Sequence, residues 1–392
     1  MLAIFWQFFL LGLMSFGGPA AHIGYFKKRF VDELNWLDAN TYASFVALSQ
    51  VIPGPGSSQV GFAIGYHRFG LLGGIAAFLG FTSPSFVLLF SLAVSSDPWL
   101  NESWFNGLIH GLKLMAVVVV FDAVLSMYNQ FCRKLITRII MMLAAIISLS
   151  ISTLWSQLGI LFIAGAMGYY FLSPRSLNAT LQRHQSAQSI KFNYKWLVLF
   201  VLLFAFSLLF IDQNEPMSQL FAQFYQAGAL VFGGGHVVLP LLEMTVGQNM
   251  TSERFLTGYA MAQAVPGPMF SIAAFLGAEL LNDTPLLGAV IATIAIFLPG
   301  FLLFLAVCHS WQSSLELPSI QGGISGINAA VVGLLVTAFV TPVMSSALTS
   351  LVDVLIVLIG FSLLKLFRLN IMWLLFIFSL LGISSNLTLL LG

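Results

Sequence analysis

Long apolar runs separated by short polar breaks dominate the chain, and nine of them read as full membrane spans: 70–94, 106–128, 136–153, 156–172, 196–211, 286–308, 323–345, 351–367 and 370–391. About 20 apolar residues carry an α-helix across the hydrocarbon layer, so these runs predict spanning helices. Four other apolar pieces, around 2–16, 41–52, 218–232 and 257–265, are shorter. At about 1.5 Å rise per residue, 12 to 15 residues reach roughly 18–23 Å, less than the hydrocarbon core. Each short piece is stopped by Phe-Gly-Gly or Pro-Gly-Pro and followed by another short piece, which predicts re-entrant hairpins.

The pattern occurs twice, at a spacing of roughly 215 residues. Phe16-Gly17-Gly18 returns as Phe232-Gly233-Gly234, and Gln50-Val51-Ile52-Pro53-Gly54-Pro55 returns as Gln263-Ala264-Val265-Pro266-Gly267-Pro268. Pro84 returns as Pro299 and Gly111 as Gly326, in the same order. The resulting organisation is a first transmembrane repeat (1–172), a polar linker (173–195), a connecting span and loop (196–217) and a second transmembrane repeat (218–392).

Charge fixes the sides. The linker carries Arg175, Arg183, Lys191 and Lys195 and no acid, which marks it as cytoplasmic. With the N-terminus inside and each short piece treated as a hairpin, thirteen of the basic residues fall in or beside the cytoplasm, Lys113 lies within a span and Arg254 is the exception. Five full spans then separate the starts of the two repeats, and an odd number turns the second repeat upside down. The fold class predicted is an all-α polytopic membrane protein built of two inverted-topology repeats with re-entrant broken-helix hairpins. An alternative count takes every short piece as a full span.

Composition agrees and excludes other classes. Hydrophobic residues make up 59% of the chain against 7% charged, with a mean hydropathy of +0.96, beyond what a soluble core requires. A net charge of +1 offers no surface for nucleic acid, and membrane lipid is the expected surrounding. Cys132 and Cys308 are too few for a disulfide framework or a metal site, so no metal and no cofactor is expected. The first apolar segment lacks a basic n-region and a cleavage pattern and is expected to remain in the mature protein. The absence of a Walker Gly-x-x-x-x-Gly-Lys-Ser/Thr sequence predicts that ions or voltage supply the energy, not ATP.

Candidate chemistry concentrates at the breaks. Irregular backbone at membrane depth survives only where it is buried in protein or lines a wet cavity. Gly17, Gly18, Pro53, Gly54, Pro55 and Gly56, with Gly233, Gly234, Pro266, Gly267 and Pro268, are expected to end half-helices whose N–H groups face a bound oxyanion. Packing kinks are the bland alternative. Ser57 adds a hydroxyl, as do Ser58 and Ser271, while Gln50 and Gln263 are costly in apolar segments unless bonded. A side chain added at Gly54 or Gly267 should obstruct the approach of the backbone, and the two positions should behave alike. His22 and His236 follow the Phe-Gly-Gly turns and can donate to an anion or exchange a proton. Lys113 is an intramembrane cation, with His110 on its helical face and Asn328 as its repeat partner. Asp122, Glu243 and Glu279 are weaker proton-carrier candidates, and a solvated hairpin end accounts for the two glutamates.

The residues from Phe16-Gly17-Gly18-Pro19-Ala20-Ala21-His22-Ile23 through Trp36-Leu37 and Ala47-Leu48-Ser49-Gln50 to Pro53-Gly54-Pro55, then Gly80-Phe81-Thr82-Ser83-Pro84-Ser85, resemble the chromate ion transporter family in its long, two-half form. So do Phe232-Gly233-Gly234-Gly235-His236-Val237-Val238-Leu239-Pro240 and Ala262-Gln263-Ala264-Val265-Pro266-Gly267-Pro268. The resemblance implies efflux of chromate across the inner membrane, against a proton or driven by the membrane potential. Sulfate, of the same charge and shape, stays open as the cargo, and a homodimer is compatible with the reading. Two rivals remain: a passive anion channel, and an intramembrane enzyme acting on a lipid phosphate.

Overall fold

The computed structural model describes residues 1–16, 18–95, 102–151, 153–172, 193–210, 215–231, 238–308, 318–369 and 371–391. Gly17, Gly233, Gly234, His236 and most of the linker lie outside the described residues. Every regular element among those described is a helix.

Two helical hairpins open the first half. Helix α1 (Leu2–Met14) ends at Ser15 in extended backbone, and α2 (Gly18–Phe26) begins on a glycine at φ +77° with Pro19 in its first turn, where a missing N–H costs no helical bond. The chain then doubles back, since Phe8 of α1 stacks on Phe30 and meets Phe26 edge-on. A π turn (Lys27–Glu33) leads to α3 (Ala39–Ser49), which Asp38 caps by accepting from Asn40 N and Thr41 N. After Pro53-Gly54-Pro55, α4 (Gly56–Ser95) breaks at Phe69 and Gly70, where Gly70 has φ 58°. The break reverses direction: Gly65 and Gly73 face each other so closely that a Cβ on either would overlap the other's carbonyl. The first arm of α4 is therefore short, and the second, from 71 to 95, spans roughly 37 Å.

Helices α5 (Ser103–Phe131), α6 (Leu135–Ser150) and α7 (Leu154–Phe171) complete the first half, and α8 (Tyr194–Phe210) connects to the second. There α9 (Pro216–Leu230), α10 (Val238–Thr245), α11 (Ser252–Ala264), α12 (Ile272–Leu280) and α13 (Pro285–Val307) repeat the order of the first four helices, with Gly277 and Gly288 in the same mutual contact as Gly65 and Gly73. Helices α14 (Pro318–Ala338), α15 (Leu351–Lys365) and α16 (Ile371–Leu391) follow.

By length and apolarity, 56–95, 103–131, 285–307 and 321–347 are able to cross a membrane. The expected spans at 136–153, 196–211 and 351–367 appear as the shorter helices α6, α8 and α15 of 16, 17 and 15 residues. Helix α6 is apolar on both faces, with Ile140 and Ala144 buried and Ile139, Met142, Leu143 and Ile146 exposed. An exposed apolar stripe of this kind is the surface a helix turns to lipid.

The halves interlock. Helix α5 packs on α16 and α14 packs on α7. Glycines permit both contacts: a Cβ at Gly111 would overlap the Phe378 carbonyl, and one at Gly326 would overlap the Ala164 carbonyl. Since Phe378 and Gly382 stand to α16 as Ala164 and Gly168 stand to α7, these contacts form a reciprocal pair at the spacing of the sequence repeat.

Candidate functional site

The hairpin tips meet across the halves. Gly54 N donates to Val231 O at 2.7 Å, and Gly267 N donates to Ser15 O at 2.9 Å. Ser15 and Val231 each precede a Phe-Gly-Gly, so each Pro-Gly-Pro turn is tied to the other half's first hairpin. Both glycines have backbone that L side chains rarely adopt, with φ +125° at Gly54 and +111° at Gly267.

These bonds correct one expectation. The N–H groups of Gly54 and Gly267 are taken by protein carbonyls, and the flanking prolines have none, so neither Pro-Gly-Pro triplet itself offers an anion an N–H. The donors left to the first turn belong to the start of α4, at Gly56, Ser57 and Ser58, which have no intrahelical carbonyl to reach. The two glycines also differ in surroundings. A Cβ on Gly54 would lie 2.8 Å from Gly300 Cα, whereas one on Gly267 would lie 2.9 Å from the Ser85 hydroxyl.

Side chains extend the network. His22 is buried beside both turns, with Nε2 3.3 Å from Ser15 O and Nδ1 3.2 Å from Ser57 Oγ. A carbonyl only accepts, so Nε2 carries the hydrogen and, in the neutral ring, the Ser57 hydroxyl donates to Nδ1. One histidine thus joins the first hairpin, the start of α4 and, through Ser15, the second half's turn. Gln59 Nε2 donates to Pro53 O at 2.8 Å and to Gly300 O at 3.3 Å, and Ser85 Oγ lies 2.7 Å from Ser271 Oγ. Ser85 and Gly300 each follow the repeated proline of α4 or α13.

Other expectations meet mixed outcomes. Gln50, expected to be bonded in an apolar segment, is exposed at the end of α3, and the buried glutamine at that turn is Gln59, which sequence reasoning missed. Gln263 is half-buried, and its Nε2 atom is buried with no hydrogen-bond partner among the described residues. Ser15 Oγ, Ser58 Oγ and Thr82 Oγ1 are in the same state. Gly18 has open space around it, and Pro266 is half-buried. Lys113 and Asn328 are both buried, at matching places on α5 and α14. The basic exception Arg254 pairs with Glu279 through Nε at 2.8 Å and Nη2 at 2.5 Å, their side chains 13% and 17% exposed. Its charge is matched inside the α11–α12 hairpin, and Glu279 is not a solvated end. Asp122 lies 2.5 Å from Lys365 Nζ, which ties α5 to α15.

Comparison with known proteins bears on most of the length of this arrangement. A probable chromate transport protein of Synechococcus elongatus is 28% identical over 340 residues, covering 85% of this chain and 82% of that protein. Chromate transport proteins of Pseudomonas aeruginosa and Cupriavidus metallidurans are 28% and 26% identical, over 85% of this chain and 78% and 80% of their own lengths. No solved structure matches. The family described as chromate transporter matches residues 2–169 and 218–383, one stretch in each half, and the chain belongs to that family.

Proposed function

We propose that this chain is a secondary transporter that exports a divalent tetrahedral oxyanion, chromate or the similarly shaped sulfate, across the inner membrane. The transport proteins it resembles are named for chromate. In this reading the halves are inverted repeats, the four hairpins are re-entrant, and the anion binds where their tips meet. The observation that carries it is the linkage of the tips by Gly54–Val231, Gly267–Ser15 and His22–Ser57, which ties the start of α4 to both turns. Ser15, Ser58, Thr82 and Gln263 each bring a buried donor that has no protein acceptor among the described residues. An unmatched buried donor costs about 1–3 kcal/mol, and an oxyanion rich in acceptor oxygens removes that cost without a matching cation for every charge. Lys113 supplies the positive charge and Asn328 the neutral counterpart from the second half. Transport is coupled to protons or to the membrane potential, and the protein performs no chemistry on its cargo.

The test is flux in vesicles reconstituted with the purified chain. Chromate or sulfate should accumulate beyond its passive equilibrium when a pH gradient or membrane potential is imposed, and should stop doing so when the gradient is collapsed. Equilibration without accumulation would identify a channel, and no anion-dependent flux of either ion would overturn the oxyanion reading.

A further inference from the structure

Helices α5, α15 and α16 border a partly open cavity of about 420 Å3 lined in part by His110, Leu114, Thr349, Asp353, Phe378 and Leu381. Its wall is mostly apolar, with one polar cluster. There His110 Nε2 lies 2.9 Å from Asp353 Oδ1. The other carboxylate oxygen accepts from Thr349 N at 2.9 Å, Thr349 Oγ1 at 2.8 Å and Ser350 N at 2.8 Å. Asp353 also completes a capping box with Ser350 at the start of α15. With three donors already directed at Oδ2, the carboxylate acts toward His110 as an acceptor, so Nε2 holds a hydrogen and Nδ1 is the nitrogen that can take another. The His110 side chain is 31% exposed and that of Asp353 only 7%, so the imidazole meets the cavity and the carboxylate stands behind it.

We propose that the His110–Asp353 pair is a proton-binding site whose occupancy sets how tightly the oxyanion is held. The inference rests on the oxyanion reading given above. A proton entering from water in the cavity binds Nδ1 and turns a neutral imidazole beside a carboxylate into an imidazolium–carboxylate pair. One N–H bond forms, and nothing else is made or released. Asp353 acts through His110 as a positioning residue.

The consequence follows from helical spacing. Lys113 is one turn along the same face of α5, so protonation of His110 adds a second positive charge near the first. A dianion held by Lys113 favours the protonated pair, and by reciprocity the proton favours the dianion. Few other charges intervene. Helices α14 and α16, both packed on α5, carry no titratable side chain along Pro318–Ala338 and Ile371–Leu391. On α11, Arg254 is paired with Glu279, and further along α15 and α5, Lys365 is paired with Asp122.

Equilibrium binding of sulfate and of chromate to the purified full chain, measured over a series of pH values, tests this. Wild-type protein should bind more tightly as the pH falls. His110→Gln should lose that added response, and the comparison with wild type cancels any titration of the anion itself. Asp353→Asn keeps an acceptor for Thr349 and Ser350 but removes the negative charge, and should weaken the response. His110→Asn serves as the second variant if His110→Gln does not reach the membrane. An unchanged pH slope in the His110 variants overturns the inference while anion binding stands, whereas wild-type protein that binds neither anion at any pH overturns the oxyanion reading itself.

Discussion

At the two Pro-Gly-Pro turns, the first and second halves use their backbone alike and their side chains differently. Gly54 and Gly267 both adopt positive φ, and both donate to the carbonyl before the opposite half's Phe-Gly-Gly. Around the first turn the space is filled by the Gln59 amide against Gly300, and around the second by the hydroxyls of Ser271 and Ser85. The charge differs too, since Lys113 in α5 has only Asn328 as its counterpart in α14. Backbone geometry, repeated, builds a cradle with two matching sides. Side chains are not repeated, and in the proposed transport reading they would give the anion a charged side at Lys113 and a neutral side at Asn328.

The most damaging way to break this comparison is to add a methyl group at the turn glycines. Gly54→Ala should cost about 3 kcal/mol, because backbone strain adds to overlap with Gly300 Cα, which cannot move aside. Gly267→Ala should cost about 1 kcal/mol less, because the added Cβ meets only the Ser85 side chain, with Oγ at 2.9 Å and Cβ at 3.1 Å, where Gly54 meets backbone at 2.8 Å. Thermal aggregation and membrane level of the two variants read the difference, and equal losses would remove the distinction drawn between the turns.

The charged side is sharpened next. Lys113→Ala should weaken sulfate binding by about 2 kcal/mol, roughly thirtyfold, against about 1 kcal/mol for Asn328→Ala. Binding isotherms on protein matched for membrane level check this, and equal effects would show that the cation does not distinguish the halves.

The smallest contrast concerns hydroxyls. Ser57→Ala leaves His22 Nδ1 without its donor in a buried site and should cost about 1 kcal/mol in thermal stability. In Ser271→Ala the Ser85 hydroxyl keeps the Thr82 carbonyl at 3.0 Å, so the cost should be about half as large. Melting curves of the two variants, collected side by side, decide it.

Much of the architecture was legible because membrane helices write themselves as apolar length and breaks write themselves as glycine and proline. The helices α5, α13 and α14 lie where long runs predicted them, and the two Pro-Gly-Pro turns sit between helices as predicted. The repeated pair Gly111 and Gly326 was visible as letters, but its meaning as contacts across the halves was not. Sequence spacing identifies neighbours along one helix, whereas partners some 200 residues apart are chosen by packing. The same limit explains Gln50 and Gln59. Polarity marked Gln50 as costly in an apolar stretch and passed over Gln59, because only the fold determines which one turns inward at the tip. It also explains why the glycine N–H groups seemed available to a ligand: their acceptors, Ser15 O and Val231 O, are backbone atoms that no residue type advertises.

The exchange of backbone bonds between halves has a consequence for how the protein is made. Gly54 leaves the ribosome long before Val231 exists, and at ordinary rates of translation the wait is roughly ten seconds or more. Throughout that interval the first half sits in the bilayer with a turn whose acceptor has not been synthesised, and the face of α5 stays uncovered longer still, until α16 is made. A nascent first half must therefore be sheltered by the insertion machinery, by a water-filled vestibule or by other lipid-embedded protein. Chains that stall or are cut short before α16 expose the same unfinished surface, which gives membrane quality control a physical feature by which to recognise them.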